Sequence, residues 1–101
     1  MNQIISGVKY DTETAHLVGA YSYGSTSDCD YIRERLYQKK NGKLFLYGEG
    51  GPHTEYVEYS SYNSFGPGCK IIPLSEPDAR AWAEKHCSVE AYEAVFGVVE
   101  E

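Results

Sequence analysis

The strongest order in the pattern of apolar and polar positions lies between Asp30 and Gly50. There DYIRERLYQKKNGKLFLYGEG sets two β-prone runs on either side of Asn41-Gly42. Both turn residues tolerate positive φ, so the pair marks a tight β-hairpin. Two registers compete. A two-residue turn opposes Leu36 to Tyr47 and Tyr37 to Leu46, which mixes aliphatic and aromatic side chains on each face. A three-residue loop, Lys40-Asn41-Gly42 with a bulge at Gly42, opposes Leu36 to Leu46, Tyr37 to Phe45 and Arg35 to Tyr47. The second register sorts the faces: Ile32, Leu36, Leu44 and Leu46 line a core face, and Arg33, Arg35, Tyr37, Phe45 and Tyr47 line the other. It is favoured, because a one-residue slip carries the whole apolar set to the wrong side.

Weaker alternation in AHLVGAYSYG, residues 15–24, reads as a strand that runs into the loop GSTSDCD; the polar YDTET before it reads as a turn or lead-in. CKIIPL, residues 69–74, is a short apolar run stopped by Pro73, which suits an edge strand or a strand end. Gly-Pro pairs punctuate the loop-like GGPHTEYVEYSSYNSFGPG between the hairpin and this run, and its centre, Glu55 to Tyr59, is a candidate short strand. From Ser75 onward the pattern turns helical. Ser75 and Asp78 have capping-box spacing with Pro77 in the first turn, and Ala79, Trp82, Ala83 and His86 follow on one face. Trp82 is the expected anchor of that helix on the sheet. Ser88 caps a second short helix, with Ala91, Tyr92, Val95 and Phe96 as its apolar stripe and Gly97 as its stop. Strands followed by helices predict an α+β fold: a small antiparallel sheet of three or four strands with a central hairpin, packed against two C-terminal α-helices. At 101 residues the chain is expected to be a single domain, 1–101.

Composition changes this picture in two ways. Hydrophobic residues at 42% and charged residues at 24% are ordinary for a globular domain, but ten tyrosines are not. The net charge of −6 is also unevenly laid out. Residues 31–43 carry Arg33, Arg35, Lys39, Lys40 and Lys43 against Glu34 alone, whereas residues 44–69 carry Glu49, Glu55 and Glu58 with no Lys or Arg. One basic hairpin thus sits in an acidic molecule. Direct nucleic-acid binding is disfavoured by the sum and kept as an alternative by the hairpin. No run of about 18 apolar residues and no basic-then-apolar leader is present, so no membrane association and a cytoplasmic location are expected. Cys29, Cys69 and Cys87 are an odd set without C-x-x-C spacing, which fits reduced thiols and no disulfide.

Several constellations resemble chemistry. GEGGPH follows a strand as a phosphate loop would, but it has neither Walker nor G-x-G-x-x-G spacing and no cation nearby; glycines permitting a strand exit is the better reading. His53 or His86 could serve Cys69 or Ser60 only through an arrangement that the spacing does not show, so no catalytic residue is assigned and no enzyme is expected. Cys29, Cys69, Cys87, His53 and His86 include zinc-ligand types without any finger or ribbon spacing; no metal or cofactor is assigned, and zinc stays open. The C-terminal acids Glu84, Glu90, Glu93, Glu100 and Glu101 read as a solvated face that could also mimic phosphates toward a basic groove. Tyr56, Tyr59 and Tyr62 recur at a spacing of three beside Tyr47, interleaved with Glu49, Glu55 and Glu58. Tyrosine brings large contact area at low entropic cost, so these seven residues are the expected surface for a basic partner protein. The alternative nucleic-acid surface is Arg33, Arg35, Lys39, Lys40 and Lys43.

LYGEGG, then KIIPLS leading into AWAEKH, then EAYEAVFG, resembles a group of small prophage and mobile-element proteins of gram-positive bacteria, over roughly residues 8–97. That group includes anti-CRISPR proteins directed at type II, Cas9-type effectors. The resemblance implies a non-enzymatic inhibitor that binds such a host protein; it transfers no functional residue.

Overall fold

The computed structural model describes residues 1–61 and 64–100. Among them, strands β1 (Asn2–Ile5), β2 (Val8–Asp11), β3 (His16–Tyr23), β4 (Ile32–Gln38), β5 (Leu44–Gly50), β6 (Glu58–Ser61), β7 (Ser64–Gly66) and β8 (Gly68–Leu74) precede helices α1 (Glu76–His86) and α2 (Val89–Phe96). Strands β3, β4, β5 and β8 form an antiparallel sheet in the order β3-β4-β5-β8, and β1-β2 and β6-β7 are separate two-stranded ladders. The architecture is α+β.

The central hairpin adopts the sorted register. Leu36 faces Leu46, Tyr37 faces Phe45 and Arg35 faces Tyr47. Its loop is Lys40-Asn41-Gly42, closed by Lys39 N–H to the Lys43 carbonyl at 2.7 Å, and Gly42 takes φ +90°, a conformation that costs a side-chain-bearing residue. Leu36, Leu44 and Leu46 meet Ala79, Trp82 and Ala83 of α1 in the main core. Both helices are capped by the serines the pattern indicates: Ser75 accepts from Asp78 N–H and Ser88 from Ala91 N–H. Edge strand β8 carries Pro73, as an edge allows.

Two features depart from the sequence reading. First, residues 2–11, to which the sequence pattern assigns no element, form a hairpin, and the turn expected within YDTET follows it at residues 12–14. Ser6 and Gly7 both have positive φ, 52° and 78°, the signature of a two-residue type I′ turn. Second, the face of the hairpin opposite the expected core face, lined by Arg33, Arg35, Tyr37, Phe45 and Tyr47, is itself partly a core. Tyr37, Phe45 and Ile71 are buried there, covered by Ile5, Tyr10 and Ala15, and the Tyr10 and Phe45 rings meet edge-on at 5.3 Å. The sheet is therefore apolar on both sides near the hairpin turn. The short strand expected at Glu55 to Tyr59 starts at Glu58 and pairs with β7. Among the described residues no helix is long and apolar enough to cross a membrane.

Candidate functional site

The segment that exits β5 is organised by a gap in the sheet. Strand alternation puts Gly48 and Gly50 on the helix-side face, next to Leu44 and Leu46, so the face ends in a trough without side chains. Tyr56 fills it. A β-carbon at Gly48 would overlap the Tyr56 ring and hydroxyl, and one at Gly50 would meet the same ring. Local bonds bend the chain back to this position: Thr54 Oγ1 donates to the Gly51 carbonyl at 2.8 Å and accepts from Tyr56 N–H at 3.2 Å. Gly51 N–H to the Tyr31 carbonyl and His53 N–H to the Cys29 carbonyl, 3.0 and 2.9 Å, tie the loop to the chain entering β4. The glycine-rich stretch thus serves a strand exit and a close approach.

Beneath the ring lies a buried carboxylate. Glu34 occupies the core-facing position between Ile32 and Leu36 on β4 and is 9% exposed. The Tyr56 hydroxyl donates to its Oε2, and Trp82 Nε1 donates to its Oε1 at 3.0 Å. Both oxygens are satisfied, which a buried carboxyl group requires. Burial, and then the bond to Glu34, push the Tyr56 hydroxyl far above the ordinary tyrosine range. The Lys70 ammonium lies 5.6 Å from the ring centroid.

The seven residues expected to meet a partner are therefore not equivalent. Tyr56 is 1% exposed and belongs to the interior, a correction to its expected role; the trough opposite it draws the ring inward. Tyr47 and Glu49 point from the other face of β5. Tyr47 is half-buried beside the Tyr37–Phe45–Ile71 cluster, and its hydrogen bond with Cys69 followed by burial raises its hydroxyl pKa. Glu49 is paired with Arg33 at 3.6 Å. Glu55, Glu58 and Tyr59 are exposed, Tyr59 at 77%. Tyr62 lies outside the described residues. What remains outward is one short segment, with Tyr56 as its internal anchor.

On the alternative surface, Arg33 and Arg35 share the face of β4 opposite the helices, and Arg33 also lies 5.9 Å from the Tyr31 ring centroid. Lys39 is half-buried with its ammonium 4.6 Å over Tyr10, while Lys40 and Lys43 are exposed at the turn. The cysteines and histidines are dispersed: Cys29 and Cys69 are exposed, Cys87 is half-buried with its thiol pushed up by burial, and His86 stacks on Tyr21 at 3.9 Å. Among the described residues no three His, Cys, Asp or Glu side chains converge as a metal site would need. Sequence reasoning missed Glu34, Trp82 Nε1 and Tyr10. The available signal for Glu34 was a carboxylate inside an apolar alternation, opposite Gly48 and diagonal to Gly50 on the neighbouring strand.

No family model matches the chain, and neither a curated protein nor a solved structure matches it.

Proposed function

We propose that this is a non-catalytic binding protein that docks on a basic protein surface, and that its partner is a Cas9-type CRISPR effector whose DNA targeting it blocks. The observation carrying this reading is the segment 55–59. Glu55, Glu58 and Tyr59 are exposed, while Tyr56, between them in sequence, is locked into the sheet by Glu34. A fixed support lowers the ordering cost that an exposed acidic and aromatic contact incurs on binding. Cas9-type effectors hold guide and target in positively charged channels, which is the charge such a segment complements. The sequence resemblance to mobile-element proteins points the same way.

The deciding experiment combines purified protein with guide-loaded type II effectors and matched DNA targets. A stable complex and suppressed cleavage are expected for at least one effector. Full cleavage and no complex across a panel of such effectors would remove the reading.

A further inference from the structure

The β1–β2 hairpin does not close over the end of the sheet near the Asn41-Gly42 turn. It leaves two adjoining clefts of about 270 and 570 Å³, which share Lys39 and Lys40. Lys9 and Asn41 line the first, and His16 and Gln38 line the second. Three lysines thus line these adjoining clefts in a molecule whose net charge is −6. Lys39 is positioned, its ammonium resting over the Tyr10 ring that packs on Phe45. Among the described residues the carboxylate ion pairs are Arg33–Glu49 and Glu76–Arg80, so Lys9, Lys39 and Lys40 have no anionic partner within 4.0 Å. Asp11 is the one acid in the lining, and its Oδ1 is engaged by Glu13 N–H at 2.9 Å. Like charges that line one cleft repel one another, and an anion bound among them is attracted to each.

We propose that this cleft binds the phosphodiester backbone of single-stranded nucleic acid. Lysine recognises phosphate as a point charge without the fixed fork of arginine, so the cleft selects for charge rather than for one small-molecule shape. The cationic surface also exceeds one phosphate: Lys43 follows at the same turn, and Arg35 stands on the same face of β4. A repeating polyanion uses such a run where a free phosphate uses one end of it. Neither this site nor the segment 55–59 depends on the other, and a guide-loaded effector presents ligands for both.

The test is fluorescence anisotropy with a short fluorescein-labelled oligouridylate over a salt series. Neutralising three phosphates on a single strand gives a slope of about −2 for log K against log salt. The triple variant Lys9→Gln, Lys39→Gln, Lys40→Gln is expected to lose at least about tenfold in affinity at low salt and to flatten the slope toward zero. The matched triple arginine variant is expected to keep both, which separates lost charge from lost fold; Lys85→Gln, on α1, is expected to change neither. No binding by the parent protein at low salt, or equal binding by the triple glutamine variant, overturns the proposal. So does inorganic pyrophosphate binding as tightly as the oligonucleotide, because the site would then belong to free phosphates.

Discussion

Tyr56 holds one oxygen of a carboxylate that is 9% exposed, so removing its hydroxyl alone is a sharp change. Tyr56→Phe keeps the ring in the trough and leaves Glu34 with the Trp82 bond only; a loss of about 1–3 kcal/mol is expected in denaturant unfolding. Gly48→Ala acts on the same contact from the other side. Its β-carbon cannot coexist with the Tyr56 ring, so a loss of at least about 1–3 kcal/mol is expected, and an unchanged midpoint would mean that the ring does not lie there. The hydroxyl also predicts a pH response. Its folded pKa is raised above the ordinary value near 10, so the neutral form is favoured by folding. That contribution is fully present below about pH 10 and is lost above it, at up to about 1.4 kcal/mol per pH unit. Stability curves of the parent and Tyr56→Phe should therefore converge as pH rises past 10; parallel curves would show that Tyr56 is not buried. The inward turn of Tyr56 was only half legible in the sequence. Spacing placed it with Tyr59 and Tyr62 as surface, and only the combination of Gly48, Gly50 and Glu34 across two strands marks a slot for a ring.

Elements were legible where one local signal and one global consequence agreed. Asn41-Gly42 supplied the turn, and the cost of exposing Leu36 and Leu46 selected one register from two. Ser75 and Ser88 fixed both helix starts because a side-chain oxygen there satisfies a backbone N–H that nothing in the helix can. The β1–β2 hairpin offered no such agreement. Ile4 is 71% exposed and Val8 is 41% exposed, so the strands show no clean apolar face; their hold on the sheet comes through Ile5 and Tyr10. Sheet β6–β7 was similarly obscure, since polar and aromatic residues follow each other there without alternation. Tyr10 is the hairpin's test. Tyr10→Ala removes the edge-on contact with Phe45 and the seat of the Lys39 ammonium, and a cost of about 2–4 kcal/mol is expected. Hydrogen exchange should accelerate in β1 and β2 well before β4 and β5. Uniform acceleration would mean that the hairpin and sheet open as one unit.

Across the whole molecule, charge is segregated over extents of 50 × 32 × 21 Å. Helices α1 and α2 carry Glu76, Asp78, Glu84, Glu90 and Glu93 against Arg80 and Lys85, whereas Arg33 and Arg35 stand on the sheet face turned away from them. The basic run in the sequence reported this polarity, but it gave neither the pairing that occupies Arg33 nor the approach of Lys9 to Lys39 and Lys40, because those depend on how separate hairpins stack. Such a molecule can present an acidic contact without being uniformly repelled by polyanions. The acidic contact has its own test in Glu55→Gln with Glu58→Gln. Both side chains are exposed and neither is in a described ion pair, so stability should stay within about 0.5 kcal/mol. Under the proposed function, binding to a guide-loaded Cas9-type effector should weaken by about tenfold or more, with most of the loss at low salt, where rim charges steer association. Surface plasmon resonance at two salt concentrations separates the outcomes. A lower association rate that recovers no further with dilution of salt places the acids in the encounter surface; equal rates and affinities for both proteins would take the segment 55–59 out of the interface while leaving Tyr56 its structural role.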